Sequence, residues 1–158
     1  MNILIMLRMK KINPLYINNR DFIYLLDDYI NRLFQQNNLP DEIYENIYLA
    51  VYEALKLIIS KFNVISNSND LKLELSYDNG NLNCHITCNH LRDIWTDIEN
   101  NSKDEVIEST VVLINKLSNT LKLLNDNSIE IMFDVIKMQN EFEQIKNEEY
   151  EEYKFLKN

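Results

Sequence analysis

The sequence predicts an α+β fold: a two-layer sandwich of a mostly antiparallel sheet with helices on one face, plus a C-terminal helix. Three observations predict it. Apolar residues recur at three- and four-residue spacing in two long stretches before residue 63. Asn79-Gly80 stands between two runs of strict alternation, the strongest short-range hairpin signal. A further helix-then-hairpin pattern follows, giving the order β-α-α-β-β-α-β-β-α. Helices that bury one stripe are then stacked on a sheet that buries one face.

The opening Met1-Asn2-Ile3-Leu4-Ile5-Met6-Leu7 is apolar and reads as a first strand, stopped by the turn signal Asn13-Pro14. Its positive charges Arg8, Lys10 and Lys11 follow the apolar run, the reverse of a signal peptide. The run is also far shorter than the roughly 20 residues of a membrane span. Asn18-Asn19-Arg20-Asp21 offers caps for a helix over Phe22, Leu25, Leu26, Tyr29, Ile30, Leu33 and Phe34, ending near Asn37-Asn38. Pro40-Asp41-Glu42 opens a second helix through Ile43, Ile47, Ala50, Val51, Ala54, Leu57, Ile58 and Ile59 to the neighbourhood of Phe62. Its apolar face is wide, so it is expected to be the most buried helix.

Residues 63 to 70 are polar and turn-rich. The hairpin follows, with Leu71, Leu73, Leu75 and Tyr77 alternating before Asp78-Asn79-Gly80-Asn81 and Leu82, Cys84, Ile86 and Cys88 after it. The stretch holding His90, Arg92, Asp93 and Trp95 reads as irregular. Ser102-Lys103-Asp104-Glu105 is a capping-box pattern opening a third helix over Val106, Val111, Leu113, Ile114 and Leu117. Strands are expected from Thr120 to Leu124 and from Ser128 to Ile136, joined by Asn125-Asp126-Asn127. Residues 137 to 158 contain no breaker and carry Met138, Phe142, Ile145, Tyr150, Tyr153 and Leu156 at loosely helical spacing among glutamates. The chain thus divides into a domain over 1–136 and an acidic helical extension over 137–158.

With 158 residues the chain has the length of one domain, and its 46% hydrophobic and 26% charged content suits a folded protein. Acids outnumber bases 25 to 16, a formal charge of -9 that repels phosphate backbones, so direct nucleic-acid binding is not expected. Glycine occurs once, which removes the backbone flexibility that phosphate-cradling loops require. Two cysteines make no disulfide framework, and a reducing cytoplasm is expected. Cys84, His85, Cys88 and His90 superficially suggest zinc. On a strand, however, Cys84 and Cys88 lie about 13 Å apart at roughly 3.3 Å per residue, with His85 on the opposite face. No metal site is expected there, and neither histidine has a recognisable serine or cysteine nucleophile.

The helix Asn46-Ile47-Tyr48-Leu49-Ala50-Val51-Tyr52-Glu53-Ala54-Leu55-Lys56-Leu57-Ile58-Ile59, with the element order around it, resembles the histidine-kinase-like ATPase fold. Within it, the likeness is to the small single-domain anti-sigma serine kinases, over residues 10 to 136. That family carries LAVxEAxxNAI in this helix, the Glu as catalytic base and the Asn holding magnesium. Glu53 stands in the Glu place and Leu57 in the Asn place. The family's Asp-x-Gly-x-Gly, which receives adenine, corresponds to Cys88, His90 and Arg92. Its Gly-x-Gly over the phosphates corresponds to Glu108-Ser109-Thr110, where Glu108 sets a negative charge beside a triphosphate. Leucine offers no oxygen to a hard cation.

The resemblance therefore implies the fold and the class of partner, while the departures imply a vestigial Glu53, no nucleotide or metal cofactor, and a non-catalytic pseudokinase. The implied function is a bacterial regulator of transcription that binds and sequesters a sigma factor or a partner-switching protein. The competing readings are a structural subunit of a larger complex and an active ATP-dependent serine kinase. Arg20, Asp27, Asp28 and Arg32 on the first helix form either a solvated face or a partner surface, since the family's sigma-factor and homodimer contacts lie on this side. Trp95 is either a loop anchor or an interface aromatic. The extension either docks on its own domain or presents Glu148, Glu149, Glu151 and Glu152 to a basic partner.

Overall fold

The computed structural model of the chain describes residues 10–17, 22–62, 71–100 and 103–157. The expected opening strand at 1–7, the caps at 18–21 with Arg20, the loop at 63–70 and Ser102 lie outside the described residues. Two short strands, β1 (Lys10–Lys11) and β2 (Leu15–Ile17), precede helix α1 (Phe22–Asn37). A single 3-10 turn at Asp41–Ile43 leads into α2 (Tyr44–Phe62), and the hairpin β3 (Leu71–Asp78) and β4 (Asn81–Thr87) follows. Then come α3 (Leu91–Asn100), α4 (Glu105–Leu117), β5 (Thr120–Asn125), β6 (Ser128–Asp134) and α5 (Val135–Lys157).

Every strand pairing in the described sheet is antiparallel, in the order β1-β3-β4-β6-β5, with β2 also on β3. The architecture is the expected α+β sandwich. Asn13-Pro14 does not turn the chain away, because β1 and β2 both run along β3. Their registers differ by one residue: Lys11 faces Ser76 but Leu15 faces Leu73, so residues 12–14 stand opposite 74–75 as a bulge. Pro14 has no N–H for the ladder, which is why the interruption falls there.

Alternation divides the sheet cleanly. Leu73, Leu75, Leu82, Cys84, Ile86, Ile129, Ile131 and Phe133 are buried beneath the helices. The opposite face is polar, and one cross-strand row runs Glu74, His85, Glu130, Lys122 in register. His85 Nε2 lies 2.7 Å from Glu130 Oε2, and Lys122 Nζ lies 3.5 Å from Glu130 Oε1. Burial alone would raise the Glu130 pKa, but His85 and Lys122 outweigh it and hold the carboxyl below its ordinary value.

The helical layer is built around α2. It packs against α1, α3 and α4, and it buries Ile47, Ala50, Val51, Ala54, Leu55, Leu57 and Ile58. α1 is pinned to the sheet by Tyr29, whose hydroxyl donates to the Leu73 carbonyl (3.2 Å) and accepts from the Leu75 N–H (3.4 Å). Burial pushes the Tyr29 phenol up to about 12, so it stays protonated and able to donate. Along the seam between α1 and α2, Phe22, Tyr52, Tyr48, Tyr44 and Phe34 form a ladder of ring contacts. The Tyr44 hydroxyl closes that seam by donating to the Asp27 carbonyl and carboxylate on α1.

Several elements differ from expectation. The segment around Trp95 is a helix, not an irregular loop: Leu91, Ile94, Trp95 and Ile98 share the spacing that buries one helical face. The third expected helix is capped by Asp104, whose carboxylate accepts from the N–H groups of Val106 and Ile107. Val106 is consequently exposed and Ile114 is the residue that α4 buries. Leu25 lies half exposed, outside the α1 core stripe. β6 ends at Asp134, whose carboxylate accepts the Lys137 N–H, so α5 starts two residues earlier than expected. No helix among the described residues is long and apolar enough to cross a membrane.

The β3–β4 turn tests the hairpin. Asp78 pairs with Asn81 across Asn79 (φ 48°) and Gly80 (φ 83°), both left-handed as a type I′ turn demands. A Cβ on Gly80 would stand 2.8 Å from the Ile136 Cδ1 atom, at the root of α5. Gly80→Ala is therefore expected to cost about 1–2 kcal/mol of stability, read by urea denaturation. An unchanged midpoint would contradict this assignment of the turn.

Candidate functional site

The residues aligned with a nucleotide site fall on three neighbouring elements, since α2 packs against both α3 and α4. The fold brings those elements together without turning the named side chains toward a common space. Leu57 is 7% exposed and Cys88 2%, both within the continuous hydrophobic core. Glu53, half buried one turn earlier, pairs with Lys56 at 3.8 Å on its own helix. Glu108 is exposed, and Glu108-Ser109-Thr110 lies inside α4, not before it. The Ser109 and Thr110 hydroxyls donate to the Glu105 and Val106 carbonyls one turn back, at 2.7 and 2.8 Å.

The 88–92 segment is the most informative. The N–H groups of Cys88 and Arg92 donate to the Asn127 and Asp126 carbonyls (both 2.9 Å), and the His90 N–H donates to Asn127 Oδ1 (3.2 Å). Arg92 adds an ion pair to Asp126 at 2.9 Å. Three backbone donors of this turn are thus committed to the β5–β6 turn. His90 holds φ 60°, a left-handed conformation that costs an L-residue roughly 1–2 kcal/mol and that glycine adopts freely. It is the position that the family resemblance gives to a glycine.

Trp95 overturns an expectation. It is 1% exposed, with its Nε1–H donating to Glu99 at 3.0 Å, so it belongs to the core and not to an interface. Leu91, Trp95 and Ile98 together make α3 an apolar plug beside α2. At the positions that the resemblance gives to magnesium and to the adenine amino group, Leu57 has no oxygen to offer and Cys88 carries no carboxylate. Among the described residues, no three His, Cys, Asp or Glu side chains gather as metal ligands. Cys84 lies wholly within the inner sheet face, where burial pushes its thiol well above the ordinary range, while His85 on the outer face is engaged with Glu130.

The outer face of α1 is the other candidate. Asp27, Asp28 and Arg32 are exposed there, although Asp27 is held by Tyr44. Sequence reasoning missed what accompanies them: Tyr24 is 82% exposed, and Leu25 is half exposed on the same side. Residues 24, 25, 28 and 32 follow helical spacing, so one solvent-facing stripe combines an aromatic ring, an aliphatic side chain, an acid and a base. Leu25 was legible as apolar, but periodicity alone could not tell the core stripe from its flank.

Two substitutions check this description. Trp95→Ala should lower stability by about 3–5 kcal/mol in chemical denaturation, because it empties a filled site between α2 and α3. A loss below about 1 kcal/mol would place the ring outside the core. His90→Gly should act in the opposite direction, raising stability by about 1 kcal/mol through relief of the left-handed strain. A lowered melting temperature would refute the strain.

Comparison with protein-family models finds no match to this chain, and the search of curated proteins finds no relative.

Proposed function

We propose that this protein is a degenerate member of the histidine-kinase-like ATPase fold, related to the anti-sigma serine kinases, that works by binding a protein and not by phosphorylating it. The order of elements supports the reading: two helices, a hairpin, a helical segment and a second hairpin, with the last strand returning beside the first hairpin. The observation that carries the non-catalytic part is the apolar closure between α2 and α3. Leu57 and Cys88 are core residues at the positions that the resemblance gives to metal and adenine.

Binding is then the remaining chemistry. The stripe Tyr24, Leu25, Asp28 and Arg32 offers the aromatic and arginine anchors enriched at protein interfaces. The formal charge of -9 favours encounter with a basic partner. We assign that partner as a sigma factor or a regulator of the same switching circuit, occluded by stoichiometric binding. A scaffold subunit is the second reading, and the exposed far end of α5 is the observation that favours it.

Calorimetric titration with ATP and magnesium tests the first half of the proposal, and no measurable heat at micromolar nucleotide is expected. Leu57→Asn should not restore binding, since the amide would be buried without ligand or partner. Micromolar ATP affinity would return the serine-kinase reading, with Glu53 as its base. Capture from native lysate tests the second half. A sigma factor or regulator should be recovered stoichiometrically, lost with Tyr24→Ser/Arg32→Glu and retained after removal of residues 147–158. Loss on removing the tail alone would favour the scaffold.

A further inference from the structure

We propose that Asn79 is a site of spontaneous deamidation and that the root of α5 guards it. Glycine occurs once in the chain, and it follows an asparagine. A side chain on the residue after an asparagine hinders that residue's backbone nitrogen from reaching the side-chain amide, and glycine has none. Asn79-Gly80 is therefore the step of this sequence at which the chemistry is least obstructed.

The reaction needs only water. The Gly80 nitrogen gives its proton to solvent and bonds to Asn79 Cγ, the Cγ–Nδ2 bond breaks, and the departing nitrogen takes a proton to leave as ammonia. A five-membered succinimide remains, and water opens one of its two carbonyls. Opening at Cγ leaves aspartate. Opening at the main-chain carbonyl leaves isoaspartate, with the backbone now running through the former side chain. The sum is amide plus water giving acid plus ammonia, with nothing oxidised or reduced.

The fold sets the two reacting groups in different surroundings. Asn79 is exposed at the tip of the β3–β4 hairpin, and its amide joins no hydrogen bond among the described residues. It borders a polar recess lined also by Asn81, Asp134, Lys137 and Asn140. Gly80 is buried: its carbonyl accepts the Val135 N–H at 2.9 Å, and Ile136 Cδ1 stands 2.8 Å from where a Cβ would be. Closing the succinimide ring rotates the peptide between Asn79 and Gly80. That rotation breaks the bond from Val135 and moves Gly80 within the space that Ile136 closes. The amide persists while the first turn of α5 is docked, and the ring closes when that turn lifts. Asn127, before Ser128 in the other hairpin, is held differently. Its Oδ1 accepts the His90 N–H at 3.2 Å, so its side chain is not free to swing.

The product makes the opening permanent. Isoaspartate lengthens the main chain by one carbon inside a turn that two left-handed residues close, so the Asp78–Asn81 pairing and the Gly80 carbonyl lose their places. Either product also sets a new carboxylate beside Asp78 and the recess that holds Asp134.

Peptide mapping by mass spectrometry, on the full chain aged at mildly alkaline pH, reads conversion of Asn79 as the mass gain of acid over amide. Conversion should be slow in the folded chain and at least about tenfold faster in guanidinium chloride. Ile136 is 57% exposed, so Ile136→Ser should leave the thermal melt nearly in place. It should also raise the native rate at least about threefold. Ageing should lower the melting temperature of Ile136→Ser but spare Asn79→Gly/Ile136→Ser, in which glycine suits the same turn and carries no amide. No conversion at Asn79 in the unfolded chain overturns the site. Equal folded and unfolded rates, or a native rate indifferent to Ile136→Ser, overturn the guard. An equal fall in melting temperature with and without Asn79 overturns the effect on the turn. Neither the α1 stripe nor the nucleotide positions enter, so this inference and the proposed function can fail separately.

Discussion

Helix α2 is covered on all but one side, and the rest of the fold is arranged to satisfy that constraint; Glu45, Leu49, Lys56 and Ser60 mark the side left to solvent. Ile47, Val51, Ala54, Leu55 and Ile58 are fully buried, a spread too wide for a sheet face alone to cover. The other members of the helical layer, α1, α3 and α4, pack against it. Burying a residue such as Leu57 stabilises by roughly 1.5–3 kcal/mol, which makes apolar closure of this helix worth more than a surface ion pair. A polar cleft beside α2 would forfeit that contribution. In this chain Leu57 of α2 and Leu91, Trp95 and Ile98 of α3 all belong to one continuous apolar core.

The same constraint explains how the helical layer is oriented. Tyr29 fixes α1 over β3 where the bulge at residues 12–14 interrupts the adjoining strand pairing. Burial and the Asp27 contact hold the Tyr44 phenol well above the ordinary range, keeping it a donor across the α1–α2 seam. With α1 clamped from both sides, its outer stripe of Tyr24, Leu25, Asp28 and Arg32 is presented on a rigid element. A rigid face loses little entropy on binding, which suits the binding role proposed for it. The polar outer face of the sheet is internally satisfied by His85, Glu130 and Lys122, so it contributes order without a free charge row.

Much of this was legible in the residues. Asn79-Gly80 announced its turn because a type I′ turn needs two left-handed positions and these residue types supply them. The alternation on either side foretold which face of β3 and β4 is buried. The positions that the resemblance matches to nucleotide motifs, Leu57, Cys88, His90, Arg92, Glu108 and Thr110, were named from the motif alone, but their surroundings were not. The helical spacing of Leu91, Ile94, Trp95 and Ile98 was present in the sequence and was hidden by flanking polar residues that resemble a loop. Leu25 and Val106 show the limit of periodicity, since an apolar residue at the flank of a stripe is covered only if a neighbouring element reaches it.

Local chemistry therefore settled the kinds of most elements and their order, α3 excepted, because propensity, capping and turn preference act over a few residues. A single glycine and a formal charge of -9 are likewise read from the sequence alone. Long-range packing settled the rest. The left-handed backbone at His90 comes with amides held by Asn127 and Asp126, residues distant in sequence. Whether Trp95 faced solvent or core depended on α2 leaving an apolar flank that α3 could fill. A side chain's burial belongs to the surface that meets it, and that surface exists only once the chain has folded.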